Sequence, residues 1–332
     1  MMWFHSIQKD FKFNSMTPLF FQFYEENTAA VVAELKQSLL ASEAWIAPKF
    51  FYDLLGSRLF AAITALPEYY PPRVEAEIFD QYSNEIAKAL GTRATLIDLG
   101  AGNCEKVSRL FPILQPAQYV AVDISVDFLR DALEHLSRQY PDTSMLGVGA
   151  DFSTQLDLPA AVADTRRTFF YLGSSIGNFS DADAVLLLEH LRRNMGAQDG
   201  LLIGMDLVKD SATLEAAYDD ALGVTAAFNR NVLLHINRIL SSDFRLADWR
   251  HVALFNPQAS RIEMHLEALR DVCVTWPDGQ REFATGTRIH TENSYKYTPE
   301  SARALLQKAG LAVQELWTDP KHYFALAYAT PA

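Results

Sequence analysis

Four short apolar runs, separated by segments with helical periodicity, constrain the fold of this 332-residue chain more than any other feature. They are "TLIDLG" (95–100), "QYVAVDIS" (118–125), "RTFFYLGS" (167–174) and "GLLIGMDL" (200–207). Runs of this length without polar alternation are typical of parallel strands covered on both faces. Residues 126–140 and 181–196 have helical spacing, and Ser180 or Asp181 is the expected N-cap of the second segment. The alternation predicts a doubly wound α/β sheet.

The C-terminal segment narrows the class of sheet. "TPESARALLQKAG" (298–310) predicts a helix with Thr298 as N-cap, Pro299 in its first turn and Gly310 as its C-terminal cap. Two predicted strands follow, 311–319 and 322–330. A parallel series that ends in an antiparallel hairpin resembles the Rossmann-like sheet of class I methyltransferases.

The stretch between the last apolar run and this helix has another pattern. Residues 216–240 have helical periodicity, whereas 251–256, 261–269 and 281–297 alternate as antiparallel strands do. This block therefore predicts an α+β insertion into the sheet.

A glycine-rich turn follows the first apolar run, in "IDLGAGNCE" (97–105). Glycines let the backbone approach a ligand, and the next helix N-terminus favours negative or polar groups. In a dinucleotide site, a third glycine allows close packing beside the pyrophosphate. Here that position is Glu105, whose bulk and charge disfavour pyrophosphate but tolerate the cationic amino-acid tail of S-adenosylmethionine (SAM).

Two carboxylates follow this turn at strand ends. Asp123 closes the second run, where it can accept both ribose hydroxyls of either cofactor. Asp151 closes a further short strand at 144–152, where it can meet the adenine amino group. Together with Glu105 and the terminal hairpin, these residues favour SAM over a nicotinamide dinucleotide.

Composition excludes several classes of protein. A net charge of −12 and a pI of about 5.1 argue against binding of nucleic acid or anionic membranes. The two cysteines form neither a disulfide framework nor a zinc site, which fits a reducing cytosol. No apolar run approaches the roughly 18 residues of a membrane span. Residues 1–16 lack a signal-peptide pattern, so we expect a cytoplasmic protein.

Several ordered motifs resemble a known family. They are "FYDLLGSRLFAAITALPEYYPPRVEAEI", "IDLGAGNCEK", "YLGSSIGNF", "DLVKD", "AYDDALGVTAAFNRNVL", "RIEMHLEA" and "TENSYKY". Together they resemble the histidine N-alpha-methyltransferases of ergothioneine biosynthesis, which use three molecules of SAM to make N,N,N-trimethylhistidine (hercynine). The resemblance runs from about residue 50 to the C-terminus and implies a monomer that acts on L-histidine.

The resemblance also implies two discontinuous domains. A substrate-binding α+β domain is expected from 17–73 and 210–296, and a SAM-binding methyltransferase domain from 74–209 and 297–332. Residues 1–16 are expected to form an N-terminal arm.

The resemblance places the cofactor site on residues of the loop and the strand ends. They are Gly100, Lys106, Asp123, Asp151 and Phe152, with Tyr52 near both the cofactor and the substrate amine. Lys106 can pair with the cofactor carboxylate, although by pattern alone it is a solvated helix residue. The sequence identifies no committed general base for the amine, and either water or Tyr52 can fill that role.

The resemblance places the substrate carboxylate between Asn178 and Tyr218. An amide and a phenol donate hydrogen bonds without forming a buried ion pair. By pattern alone, Asn178 is a turn residue and Tyr218 a core aromatic. The family's substrate-contacting tyrosine aligns with Tyr70 of "PEYYPPR", or with Tyr69, in a segment that the following prolines predict to be extended.

The imidazole end of the pocket is expected at Glu292, Ser294 and Met264. Glu292 and Ser294 are two residues apart on one strand and so share a face. A carboxylate accepts an imidazole N–H, and leaving it unpaired costs roughly 1–3 kcal/mol, which rejects apolar side chains. Met264 offers an adaptable wall. By periodicity alone, Met264 is core and Glu292 an edge charge.

Three other functions compete with histidine methylation. An indole or other aromatic amino acid is the alternative substrate, although Glu292 and Met264 favour imidazole. A nicotinamide-dependent oxidoreductase is opposed by Glu105 and the hairpin, and a non-catalytic module by the complete set of pocket residues. The histidines are scattered and no metal site is expected.

Overall fold

The fold is taken from a computed structural model of the chain. The structure describes residues 17–24, 27–124, 126–153 and 156–332, so the expected N-terminal arm lies outside the described residues. Of Asp127 and Phe128 only the backbone is described.

The strands of the described residues alternate with helices through the first two thirds of the chain. In chain order, the strands are β1 (Leu19–Gln22), β2 (Thr95–Leu99), β3 (Gln118–Asp123), β4 (Ser144–Gly149), β5 (Arg167–Tyr171), β6 (Gly200–Asp206), β7 (Trp249–Asn256), β8 (Arg261–Ala268), β9 (Val272–Trp276), β10 (Gly279–Phe283), β11 (Arg288–Tyr295), β12 (Leu311–Thr318) and β13 (Phe324–Pro331).

The helices of the described residues range from single turns to a helix of 17 residues. In chain order they are α1 (Thr28–Leu40), α2 (Leu54–Ile63), α3 (Pro71–Gln81), α4 (Ser83–Leu90), α5 (Glu105–Ser108), α6 (Phe111–Leu114), α7 (Val126–Gln139), α8 (Asp181–Arg193), α9 (Ser211–Tyr218), α10 (Val224–Leu240) and α11 (Pro299–Lys308). None of these helices is both long enough and apolar enough to cross a bilayer.

The predicted runs form the centre of an eight-stranded sheet with the order β1-β4-β3-β2-β5-β6-β13-β12. The strands from β1 to β6 pair in parallel, whereas β13 runs antiparallel to both β6 and β12. Neighbours in β2 face opposite sides: Leu96 joins one hydrophobic core and Ile97 another. The predicted α/β class, doubly covered sheet and terminal hairpin are therefore confirmed.

The helix before the hairpin begins and ends where its signals predict. Thr298 caps α11 and forms a capping box with Ser301, and Pro299 occupies the first turn. Gly310 follows the helix with a positive φ of 75°, which stops the helix and turns the chain into β12.

β1 has no counterpart among the predictions. It lies within 17–73, the segment expected in the substrate-binding part, yet it pairs with β4 at the edge of the large sheet, with Leu19 opposite Leu146. Four residues with two exposed ends are too short to give an alternation signal.

The helical part of the insertion differs from its prediction. The predicted helix 216–240 is interrupted: its residues belong to the end of α9 and to α10. The interruption includes Gly223, whose φ is 75°. The Asp220 carboxylate accepts hydrogen bonds from the backbone N–H groups of Val224 (2.9 Å) and Thr225 (2.7 Å). The Asp220 side chain therefore caps the start of α10, and this new helix start interrupts the helical periodicity.

The rest of the insertion is antiparallel, as predicted, but the predicted segment 281–297 divides between β10 and β11, and β9 lies in none of the predicted segments. β11, β8 and β7 form a three-stranded sheet, and β9 and β10 a separate hairpin. The chain then rejoins the large sheet where it left it: Tyr297 donates its N–H to the Asp206 carbonyl (2.9 Å) and accepts from Val208 N–H (2.8 Å). This junction, at the carboxyl end of β6, brings the insertion against the strand ends of the sheet.

The segment before α3 departs from its prediction. Tyr70 has helical dihedrals (φ −71°, ψ −26°), so the chain at Tyr70 is not extended, and its carbonyl accepts from Arg73 and Val74 (both 3.1 Å). Proline suits the first position of a helix because it has no N–H to leave unpaired. The start of α3 therefore overrides the usual restriction on a residue that precedes proline.

Candidate active site

The glycine loop lies between β2 and α5 and faces open space. Gly100 and Gly102 both have positive φ (70° and 53°), and a Cβ built on either would meet no atom within 4 Å. The N–H of Gly102 donates to Asp123 at the end of β3 (3.1 Å). A ligand can therefore approach the loop backbone beside a carboxylate.

Lys106 on α5 shares its charge with a buried acid. Its Nζ lies 3.3 Å from Glu75 Oε2, and its side chain is 46% exposed whereas that of Glu75 is 2% exposed. Glu75 also accepts the N–H of Gly173, after β5, at 2.7 Å. Glu75 thus anchors the Lys106 ammonium at the mouth of the loop.

A second buried acid lies under the loop. Tyr119 donates its hydroxyl to Asp98 (2.7 Å), and both side chains are buried. Burial raises the pKa of Asp98 to about 7 despite this hydrogen bond and the Lys106 charge. The carboxyl ends of β2, β3 and β4, with the residues that follow them, are called the cofactor edge below after their predicted role. This edge contains a buried carboxyl with a raised pKa.

Asp151 and Phe152 follow β4 and border the same edge. The Asp151 carboxylate accepts from the Ser153 N–H (3.1 Å), so this turn orders it without a ligand. Phe152 packs edge-on against Tyr171 with 5.7 Å between ring centroids.

A β-bulge turns the predicted imidazole-binding residues inward. His290 opposes His265, but the next pair is Glu292 opposite Met264, so Thr291 is the extra residue. The bulge moves the inward-facing set from Ile289 to Glu292 and Ser294. Glu292 and Met264 are therefore direct cross-strand neighbours on the inner face.

Glu292 has an unusual proton affinity. Burial raises its pKa to about 7, although the nearby Lys296 ammonium acts in the opposite direction. The side chain is nevertheless only partly shielded from solvent. Glu292 is thus a half-buried carboxyl with a raised pKa. Together with Met264, Ser294 and Tyr218 it forms the candidate substrate surface, which is called the cleft below.

Tyr218, from the end of α9, meets Ser294 in this cleft. The Tyr218 hydroxyl and Ser294 Oγ are 2.7 Å apart, and either can be the donor. Lys296 Nζ donates to both, at 3.2 Å and 2.8 Å. Two residues from different elements of the insertion thus share one buried cation.

Asp206, at the end of β6, holds that cation. Its carboxylate lies 2.8 Å from Lys296 Nζ and 2.6 Å from Lys209 Nζ. Tyr70 donates its hydroxyl to the same carboxylate (2.7 and 2.8 Å). Burial alone would raise the pKa of Asp206, but the two ammonium groups hold it below its usual value.

The two tyrosines before α3 face different surroundings. Tyr70 is 5% exposed and bonded within the Asp206 cluster, whereas Tyr69 is only partly buried and packs edge-on against Tyr218 (5.9 Å). Phe60 links Tyr69 to Tyr52, with ring centroids at 6.3 Å and 5.7 Å. An aromatic wall therefore runs from Tyr218 to Tyr52.

Tyr52 stands between the cofactor edge and the cleft. The residue as a whole is 46% exposed. Protein atoms around the phenol raise its pKa well above the ordinary value, and the charges of Glu292 and Asp123 raise it further. Both carboxylates therefore act on one phenol, which joins the two groups of predicted residues.

Asn178 ends a short turn, Ser175–Asn178, after β5. The turn presses on β11 so closely that a Cβ on Gly177 would lie 2.9 Å from the Tyr295 carbonyl oxygen. Glycine at 177 is therefore required, and the turn places the half-buried Asn178 beside the junction.

The predicted residues fall into two groups that adjoin at Tyr52. Gly100, Lys106, Asp123, Asp151 and Phe152 follow the carboxyl ends of β2, β3 and β4, and Tyr218, Met264, Glu292 and Ser294 line the inner face of the insertion. Among the described residues, no group of His, Cys, Asp and Glu is arranged to hold a metal ion.

Three charged residues of the site lie within the quoted motifs, but the sequence analysis assigned them no role. Lys296 continues the alternation of Glu292 and Ser294, a signal that is present in the sequence. Asp206 and Glu75 carry no such signal, because their partners lie far along the chain: Glu75 bonds a backbone group 98 positions away.

Comparison with known proteins gives consistent results. A family described as histidine-specific, SAM-dependent methyltransferases matches residues 31–331. The histidine N-alpha-methyltransferase of Mycolicibacterium smegmatis is 42% identical over 306 residues, 90% of this chain and 94% of that protein. The protein of the same name from Mycobacterium tuberculosis is 41% identical, over 85% and 89% of the two chains.

A fungal relative matches over part of its length. Ergothioneine biosynthesis protein 1 of Neurospora crassa is 31% identical over 82% of this chain and 32% of its own. The family match extends from α1 into β13 and so includes the large sheet, the insertion and the hairpin. This chain therefore belongs to the SAM-dependent, histidine-specific methyltransferases.

Proposed function

We propose that this protein transfers methyl groups from SAM to the α-amino group of L-histidine until N,N,N-trimethylhistidine (hercynine) is formed, the first step of ergothioneine biosynthesis. The two bacterial relatives are histidine N-alpha-methyltransferases and the fungal relative is an ergothioneine biosynthesis protein, which supports the reaction. The observation that carries the proposal is the cleft in which Glu292, paired with Met264, lies on the same face as Ser294 and Tyr218.

Residues of the glycine loop and strand ends would hold the cofactor. Gly100 leaves room for its approach, Asp123 accepts the ribose hydroxyls, and Lys106 pairs with the carboxylate of its amino-acid tail. Asp151 and Phe152 border the adenine. When bound there, SAM supplies an electrophilic methyl group on a sulfonium.

The cleft would hold histidine at both ends. Glu292 accepts an imidazole N–H and Ser294 provides the second polar contact, while Met264 packs on the ring. Tyr218 and Asn178 donate to the carboxylate. These contacts fix the amine, and rate enhancement then comes mainly from alignment of the nitrogen with the methyl carbon.

The tyrosines divide between substrate and scaffold. Of the two aligned candidates, we favour Tyr69 as the substrate contact, because the Tyr70 hydroxyl already bonds Asp206 and Lys209. Tyr52 is protonated at neutral pH, since burial raises its pKa. Its oxygen therefore orients the amine as a hydrogen-bond acceptor, and water removes the proton released before each further transfer.

The large sheet and the insertion have different proposed functions. We propose that 74–209 and 297–332, together with β1, bind the cofactor, and that the remainder of 17–73 with 210–296 binds histidine. We further propose that the enzyme acts as a monomer and without a metal ion.

Calorimetric titration with L-histidine, and with L-tryptophan as control, tests the assignment. Mass spectrometry after addition of SAM then reports the number of methyl groups transferred. We expect histidine to bind, tryptophan to bind far more weakly, and the product to carry three methyl groups. Failure of histidine to bind or to gain methyl groups would contradict the proposal.

A further inference from the structure

Lys296 is a fully buried cation between the cofactor sheet and the substrate cleft. Its side chain has 0% exposure, and its Nζ lies within 2.8 Å of Asp206 Oδ2 and Ser294 Oγ and 3.2 Å of the Tyr218 hydroxyl. An ammonium has three donors and no acceptor. All three protons therefore have protein partners, and none remains for a ligand.

This saturation determines how the two hydroxyls can act. Ser294 Oγ and the Tyr218 hydroxyl both accept from Lys296, and they bond each other at 2.7 Å. Each hydroxyl has one proton. One of the two protons lies in the Ser294–Tyr218 bond. Tyr69 also hydrogen-bonds the Tyr218 hydroxyl, and with Tyr69 as the donor the second proton is available to the cleft.

We propose that Lys296 is a positioning residue for histidine specificity: it holds the Ser294 and Tyr218 hydroxyls so that one hydroxyl proton is presented to the bound amino acid. The inference rests on the proposed function and deepens it. Lys296 touches no reacting atom and acts through its two neighbours.

The place of Lys296 in the fold strengthens the case. It follows β11 directly, and its N–H donates to the Ser260 carbonyl at 2.7 Å. The next residue, Tyr297, bonds the backbone of Asp206. Lys296 therefore lies where the insertion rejoins the sheet, and its ion pair with Asp206 ties the cleft to the end of β6.

Lys209 provides a matched control. It also pairs with Asp206, at 2.6 Å, and is 4% exposed. Its other hydrogen bonds go to Tyr70 and to the Leu207 carbonyl, and neither Tyr218 nor Ser294 is among its partners. Lys209→Met and Lys296→Met thus remove the same charge from the same carboxylate, but only Lys296→Met frees the hydroxyls.

The experiment titrates L-histidine into wild type, Lys296→Met and Lys209→Met, with SAM titration as a check on the fold and steady-state kinetics alongside. For Lys296→Met we expect the Kd and KM for histidine to rise about 10- to 100-fold, because two hydrogen bonds to the hydroxyls are lost. The kcat should fall less than about threefold. Lys209→Met should bind histidine within about threefold of wild type.

Each other result is decisive. Equal loss of histidine affinity in both variants, or no loss in Lys296→Met, would overturn the inference and leave histidine methylation intact. Absence of histidine binding by wild type would instead overturn the proposed function and the inference with it. If Lys296→Met does not fold, Lys296→Gln reads the same contacts, because its shorter side chain cannot reach both hydroxyls and Asp206. At least about fivefold weaker histidine binding is then expected, and affinity within twofold of wild type contradicts the inference.

Discussion

The cofactor edge and the substrate cleft are built on different physical principles. At the cofactor edge, backbone geometry dominates: two glycines with positive φ and carboxylates at successive strand ends form an open surface. At the cleft, Tyr218 of α9 and Ser294 of β11 converge on the buried ion pair of Lys296 and Asp206. The first region needs few specific contacts within the protein, whereas the second depends on several that must form together.

The difference has an electrostatic side. Lys106 remains 46% exposed beside Glu75, whereas Lys296 is completely buried beside Asp206. A buried charge is tolerated only with its partner and its hydrogen bonds in place. The cleft should therefore respond to single substitutions through several groups at once, and the cofactor edge through local effects.

The largest separation between the two regions is expected from Gly100→Val. A β-branched residue at φ 70° is strained, and its side chain would occupy the open space over the loop. We expect affinity for SAM to fall about 100-fold or more, a loss of about 2.7 kcal/mol, while histidine binding stays within about threefold. Calorimetric titration of each ligand measures both.

Gly310→Val is the control for this variant. Gly310 has a similar φ of 75° at the end of α11, where a Cβ would meet only the Arg192 side chain at 4.0 Å. It should show comparable backbone strain with normal affinity for SAM. Loss of SAM affinity in both variants would mean that strain, and not the space over the loop, causes the effect.

The complementary change is Glu292→Ala. Removing the carboxylate leaves an imidazole N–H unpaired in the cleft, which costs about 1–3 kcal/mol and lowers histidine affinity about 5- to 150-fold. Affinity for SAM should stay within twofold. The two titrations together form a double dissociation between the regions, and unchanged histidine affinity would remove Glu292 from the proposed site.

The cofactor edge was the easier of the two to predict, since its signals are local. The apolar runs identified β2, β3, β5 and β6, and Gly100 and Asp123 are tied to the ends of those strands. Two features with weak local signals were not predicted. Strand β1 has only four residues, and the interruption between α9 and α10 depends on the Asp220 cap.

The cleft shows where sequence reasoning runs out. The alternation of Glu292 and Ser294 predicted a shared face, and the same period extends to Lys296. The bulge at Thr291, which makes that face point inward, and the pairing of Lys296 with Asp206 depend on contacts between distant segments. Residue type and spacing carry no information on such contacts.

The pH dependence of stability contains a contribution from the cleft that substitution of Glu292 can isolate. Burial raises the pKa of Glu292 to about 7, so the folded state holds a proton that the unfolded chain has lost. Stability of the ligand-free protein should therefore fall as pH rises from about 4.5 through 7. Allowing for partial solvent screening, we expect Glu292 to contribute about 1–2 kcal/mol to this fall.

Comparison of wild type with Glu292→Gln isolates that contribution. In denaturant unfolding at pH 5, 6, 7 and 8, the free energy of unfolding should decline less steeply with pH for the variant than for wild type. Burial also raises the pKa of Asp98 to about 7, with the same sign, but that slope is common to both proteins. If the free energy of unfolding depends on pH in the same way in both proteins, the pKa of Glu292 is not raised in the ligand-free protein.

The smallest expected effect distinguishes two neighbouring tyrosines. Tyr69 belongs to the wall of the cleft, whereas Tyr70 belongs to the buried cluster around Asp206. Tyr69→Phe should raise the KM for histidine about three- to fivefold, the cost of one neutral hydrogen bond, with unfolding free energy nearly unchanged. Tyr70→Phe removes a donor to Asp206 and should instead lower the unfolding free energy by about 1–2 kcal/mol, with KM near wild type. Kinetics and denaturant unfolding of both variants decide between the residues. The reverse result would assign Tyr70 to the substrate, and the buried cluster would then extend into the cleft itself.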